Sequence, residues 1–123
     1  MKYLTAFVFL AMLAAPATVA HAEDANVAGS YRVDGTNFDG SAYRGTAEIV
    51  MTGKNTCHIH WKIGRDDFNG FCLVRGRIFT SGYRGGNSVG LVSYDIKEDG
   101  AISGIWAIDG KTGTGTETLT PAR

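Results

Sequence analysis

Few residues in this 123-residue chain have the types and spacing to do chemistry. His58 and His60 stand at i and i+2, so on a strand both imidazoles leave one face and could share a metal ion. Gly86-Asn87-Ser88-Val89-Gly90 spells the G-x-S-x-G of a hydrolase nucleophile elbow. That motif needs a strand-turn-helix setting and a later histidine. His58 and His60 both precede Ser88, and the residues after it continue a strand. Hydrolysis at Ser88 is therefore not expected, and with no other catalytic constellation in view the protein is expected not to be an enzyme and to use no cofactor. Glu117 lies in Thr116-Glu117-Thr118-Leu119 and shares a face with Leu119. A carboxylate turned inward needs an arginine partner or hydrogen bonds, so Glu117 is a candidate for a structural ion pair or a ligand contact.

Cys57 and Cys72 are the only cysteines. A two-residue Gly64-Arg65 turn of the Gly-X type favoured in II′ hairpins sets Ile63 opposite Asp66, Lys62 opposite Asp67, Trp61 opposite Phe68 and Cys57 opposite Cys72. The spacing thus predicts a Cys57–Cys72 disulfide, a bond that belongs to an oxidising compartment. Closing that loop would contribute roughly 3 kcal/mol in the chain-entropy model. The same register puts Asn69 opposite His60 with Asp67 close by, short of the three or four convergent ligands that a metal site needs. A solvated outer face is the expectation for both histidines.

The N-terminus supplies the compartment. Met1-Lys2, an uncharged apolar run over 4–15, Pro16 and then Ala20-His21-Ala22 follow the basic, apolar, small-residue order of a cleavable secretory leader over 1–22. The apolar run is shorter than the ~20 residues needed to cross a bilayer, so no membrane insertion is expected. The product is expected in the periplasm or outside the cell. Removing 22 residues from 123 leaves 101, enough for one domain over 23–123. Without Lys2 that domain has 11 basic and 12 acidic residues. A net charge near −1 offers no bulk attraction for nucleic acid.

The elements that position these residues read as strands. No window after the leader has helical periodicity. Period-2 segments instead alternate with Gly-rich turn signals, giving strands near 28–33, 42–52, 56–63, 67–75, 77–84, 88–97, 101–108 and 115–120. Asp34-Gly35, Asp39-Gly40, Asp99-Gly100 and Asp109-Gly110 read as hairpin turns. Eight sequential strands suit an antiparallel meander closed into a small barrel, which removes exposed edges; a two-sheet sandwich is the alternative. Ile49, Met51, Cys57, Ile59, Trp61, Ile63, Val89, Leu91, Ile102, Trp106, Ile108 and Leu119 form the expected inner set. A domain of this size buries only ~65% of its unfolded surface, so its own side chains are expected to fill the interior. Phe71 and Leu73 face outward beside Arg75 and Arg77, a combination common in protein interfaces. Ser41-Ala42-Tyr43-Arg44-Gly45 is echoed by Ser81-Gly82-Tyr83-Arg84-Gly85, and Gly29-Ser30-Tyr31 by Gly104-Ile105-Trp106.

Several stretches carry a resemblance: Gly29-Ser30-Tyr31-Arg32-Val33 with Gly35-Thr36-Asn37, Tyr43-Arg44-Gly45-Thr46, Trp61-Lys62-Ile63-Gly64, Asp99-Gly100-Ala101-Ile102-Ser103-Gly104-Ile105-Trp106, and Gly115-Thr116-Glu117-Thr118-Leu119-Thr120-Pro121. Over nearly all of 23–123 the chain resembles a group of small exported bacterial proteins often labelled "fibronectin-binding protein". The resemblance implies a shared fold and, through that label, adhesion to a host matrix protein. The pattern is also distantly similar to calycin barrels such as lipocalins and avidins, with Gly29-Ser30-Tyr31 where those carry Gly-x-Trp. The expected function is non-enzymatic recognition of a protein or surface partner through Phe71, Leu73, Arg75 and Arg77. The alternative is a carrier of a small apolar ligand, with Trp61, Trp106 and Glu117 lining a cavity. Inhibition of an enzyme and metal binding at His58 and His60 are further alternatives.

Overall fold

The computed structural model describes residues 10–16 and 23–122. Residues 10–16 have no regular structure and are exposed, and the rest of the expected leader, including Ala20-His21-Ala22, lies outside the described residues. Eight strands follow: β1 (Gly29–Thr36), β2 (Ala42–Met51), β3 (Thr56–Ile63), β4 (Asp66–Arg75), β5 (Ile78–Gly85), β6 (Ser88–Ile96), β7 (Ile102–Ile108) and β8 (Gly115–Pro121). Each pairs antiparallel with its sequence neighbour, and β1 pairs with β8 to close the barrel. Closure leaves no sheet edge free, and the two-sheet sandwich is not formed.

The turns explain the register. Gly64, Gly76 and Gly86 have φ of +61°, +59° and +55°, while no non-glycine residue has positive φ among the described residues. Positive φ at the first turn position alone is the II′ pattern, whose twist matches the flanking strands. The β3–β4 register is accordingly Cys57↔Cys72, His60↔Asn69, Trp61↔Phe68, Lys62↔Asp67 and Ile63↔Asp66. The Cys57–Cys72 disulfide is formed, with a Cα–Cα distance of 4.9 Å, and both cysteines are buried.

None of the Asp-Gly pairs forms a type I′ turn, which requires positive φ at both positions. At Asp39-Gly40 and Asp99-Gly100 only glycine is left-handed (φ +85° and +88°). The Gly40 and Gly100 amides donate to the carbonyls of Asn37 (2.9 Å) and Lys97 (3.0 Å). Each aspartate then accepts from the amide two residues on, Ser41 (2.9 Å) and Ala101 (3.0 Å). These are three-residue loops ending in a left-handed glycine. Asp34-Gly35 is not a turn at all, because both residues lie inside β1.

The barrel has two unlike halves. At one end Val27, Tyr31, Val33, Ile49, Cys57, Ile59, Val74, Phe79 and Ile96 pack into a filled core. The segment before β1 seals this end. Val27 is buried, the Tyr31 hydroxyl donates to its carbonyl (2.7 Å), and Ala25 N donates to Gly76 O (3.0 Å). Asp24 accepts from the Gly76 amide (2.6 Å) and from the Asn55 side chain, which hold its carboxyl below the usual carboxylate range. Val89 and Leu91, expected inside, point out at 49% and 66% exposure. β6 is apolar on both faces, so periodicity alone cannot orient it; Val92, Tyr94 and Ile96 take the interior.

Candidate functional site

The other half of the barrel is open. A cavity of about 330 Å³ enters between the β1–β2, β3–β4, β5–β6 and β7–β8 connections, lined chiefly by Tyr43, Trp61, Phe68, Tyr83, Trp106 and Glu117. That volume falls within the ~300–1,000 Å³ of small-molecule pockets. The filled interior expected from chain length is therefore found only at the closed end.

Glycines explain why aromatic side chains leave space. Tyr43 pairs directly across from Gly35, Tyr83 from Gly90, and Trp106 from Gly115. Phe68 sits across Gly85, one step past the last β4–β5 pair, Asn69↔Arg84. In all four cases a Cβ on the glycine would run into the partner's ring. The rings lie down over bare backbone instead of projecting across the barrel, and the lumen stays open. Three are fastened there: the Tyr83 hydroxyl donates to Ala107 O (3.0 Å), the Trp106 indole N–H to Thr116 O (3.2 Å), and the Tyr43 hydroxyl reaches Glu117 and Thr116 O. Phe38, from the β1–β2 loop, packs on Trp106 with ring centroids 4.8 Å apart.

Glu117 stands at the inner end of the cavity and is 6% exposed. Among the described residues no arginine meets it, so the ion-pair expectation gives way to its hydrogen-bond alternative. Trp61 Nε1 donates to Oε2 (3.0 Å), the Tyr94 hydroxyl donates to the same oxygen, and the Tyr43 hydroxyl donates to Oε1 (2.9 Å). Burial raises the Glu117 pKa, and these three donors act against that shift. Burial and the nearby carboxylate in turn raise the tyrosines: Tyr83 is pushed up to about 12, and Tyr43 and Tyr94 are also raised. The site is a fully satisfied polar knot in an aromatic wall, and no buried side-chain polar atom lacks a partner among the described residues.

Trp61, Trp106 and Glu117 thus come together in one cavity. Tyr43, Phe68, Tyr83 and Tyr94 were not anticipated there. The signal was present, because the hairpin registers place an inward aromatic against a glycine each time. The echoed Tyr43 and Tyr83 segments correspond to two such positions; the Gly29-Ser30-Tyr31 echo has no such meaning, since Tyr31 lies at the closed end and Trp106 at the mouth.

The outer-wall candidates lie elsewhere. Val50, His58, Phe71, Gly82, Leu91 and Ala107 form one cross-strand row on the outside, with Phe71 at 61% and Leu73 at 52% exposure. Arg75 ends β4 on the same face, whereas Arg77 occupies the following turn and donates through Nε to Ile96 O (2.9 Å). His58 stands edge-on to Phe71 at 5.8 Å, and His60 Nε2 is 2.9 Å from Asp67 Oδ1. Among the described residues no group of three His, Cys, Asp or Glu is placed to hold a metal ion.

No protein-family model and no curated protein matches the chain. Solved structures do. One is a redesigned β-barrel, b11L5F_LGL, with a TM-score of 0.68 at 15% identity, covering 79% of this chain and 92% of the other. Another is EF1p2_mFAP2b bound to DFHBI, with a TM-score of 0.66 at 16% identity, covering 78% and 94%. At such identity the likeness shows the fold alone, an eight-stranded barrel, and nothing in it speaks for fibronectin binding.

Proposed function

We propose that this protein is a non-enzymatic carrier that holds a small, largely apolar molecule in the open half of its barrel. The observation that supports the reading is the aromatic cavity of about 330 Å³ with a few polar groups in its lining, Glu117 at its inner end among them. Apolar walls supply affinity and a few placed polar atoms orient the ligand, which is the usual composition of such sites. A barrel of the same fold occurs in a structure bound to DFHBI, and that supports the fold as a container. The disulfide suits an oxidising compartment, so an exported carrier is the coherent reading. Native mass spectrometry after gentle purification tests it. A stoichiometric small molecule, lost when Gly115→Leu crowds the cavity wall, is the expected result. A protein that emerges empty and whose tryptophan fluorescence ignores a broad panel of apolar compounds refutes it.

A second reading rests on the outer row. Phe71 and Leu73 are exposed beside Leu91 and Arg75, as a face for a protein or surface partner would be. Interferometry with Phe71→Asp and Arg75→Glu tests it, and unchanged binding to an identified partner removes this face.

A further inference from the structure

We propose that the ligand is a small organic cation, a protonated amine on an aromatic or otherwise apolar skeleton; this rests on the reading of the cavity as a ligand site. Among the described residues, the lining side chains that can carry charge near neutral pH are all acidic. Asp66 and Glu117 are acidic, Tyr43, Tyr83 and Tyr94 are neutral hydroxyls, and neither lysine nor arginine contributes. On a near-neutral protein, such a recess concentrates positive charge.

The hydrogen bonds around Glu117 leave room for one more donor, and at a particular atom. Oε2 is held by Trp61 Nε1 and the Tyr94 hydroxyl. Among the described residues Oε1 is met only by the Tyr43 hydroxyl, which has a second acceptor, Thr116 O, at 3.3 Å. Its single proton can therefore swing to Thr116 and free Oε1 for an incoming N–H without stranding any group. A carboxylate buried without a cation carries a charge that a bound ammonium would neutralise. The rings of Tyr43, Trp61, Tyr83 and Trp106 present π-faces and edges to the same space, and aromatic faces attract cations within about 6 Å of the ring.

Substituting Glu117→Gln keeps the shape: the amide oxygen can take the Oε2 position, and its NH₂ can face Tyr43, whose proton then goes to Thr116. The experiment compares 2-phenylethylamine, cationic at pH 7, with neutral 2-phenylethanol, by calorimetry and tryptophan fluorescence. The native protein is expected to bind the amine at least ten-fold more tightly than the alcohol, and E117Q, with its fold checked by circular dichroism, to lose that preference. Equal affinities on the native protein overturn the cation inference and leave the cavity reading standing. A preference that persists in E117Q overturns the assignment to Glu117. No saturable binding of either compound overturns both the inference and the reading beneath it.

Discussion

Replacing Gly90 with alanine tests whether glycine seats hold the cavity rings in place. Gly90 has an ordinary strand φ, so backbone conformation is not at issue. The new Cβ would overlap the Tyr83 ring and lie 2.6 Å from the Ala107 backbone oxygen. The ring must lift, and its hydroxyl loses the 3.0 Å bond to Ala107 O. Overpacking costs about 1–3 kcal/mol and a lost hydrogen bond about 1 kcal/mol, so G90A should be less stable by about 2–4 kcal/mol. Near 4–8 °C per kcal/mol for a domain of this size, Tm should fall by about 10 °C or more. Gly82→Ala is the matched control: it faces outward on β5 with only a Leu91 methyl at 3.9 Å, and should be neutral or stabilising by up to about 1 kcal/mol. Urea denaturation of both variants decides the matter. If G90A lies within 0.5 kcal/mol of G82A, the glycine seats do not shape this wall.

Glu117→Ala strands Trp61 Nε1 and the Tyr94 hydroxyl without an acceptor. At about 1–3 kcal/mol for each unsatisfied group, denaturation should register a loss of about 2–6 kcal/mol, against a smaller one for E117Q. The raised Glu117 pKa fixes a sign for pH dependence: the folded state keeps its proton where the unfolded one has released it, so this contribution to stability is lost as pH rises above 4.5. A stability curve that is no flatter in E117Q than in the native protein above that pH would contradict it. Raised tyrosines act in the same direction above pH 10, where the unfolded chain ionises first. Reducing the Cys57–Cys72 bond should lower stability by about 3 kcal/mol, seen as a fall in Tm with dithiothreitol that a Cys57→Ala, Cys72→Ala double variant does not show.

Strand order and much of the register were legible because Gly-X turns leave little choice: Gly64-Arg65 alone aligns Trp61 with Phe68 and Cys57 with Cys72. The facing of β6 is not legible in the sequence because Val89 and Leu91 are as apolar as Val92 and Ile96, and only the closed barrel decides which pair faces water. Tyr43, Tyr83 and Tyr94 are hidden in the sequence for a different reason. Their roles depend on partners 23–74 residues away, such as Glu117 and Ala107, which alternation within one strand cannot reveal. Cavity volume is not legible either, because chain length sets the average burial but says nothing of rings lying flat on glycine.

The pairing of β1 with β8 has a consequence in time as well as in space. A chain that emerges N-terminus first can form its hairpins in order, but the first strand must wait for residues up to Pro121 before its outer edge is covered. Long-range closure of this kind is slow, commonly milliseconds to seconds, and until it happens two strand edges are open to other chains. The acceptor of the polar knot, Glu117, lies on that last strand. The pocket therefore cannot be complete before that closure: a barrel still lacking β8 holds three donors without the carboxylate that receives them.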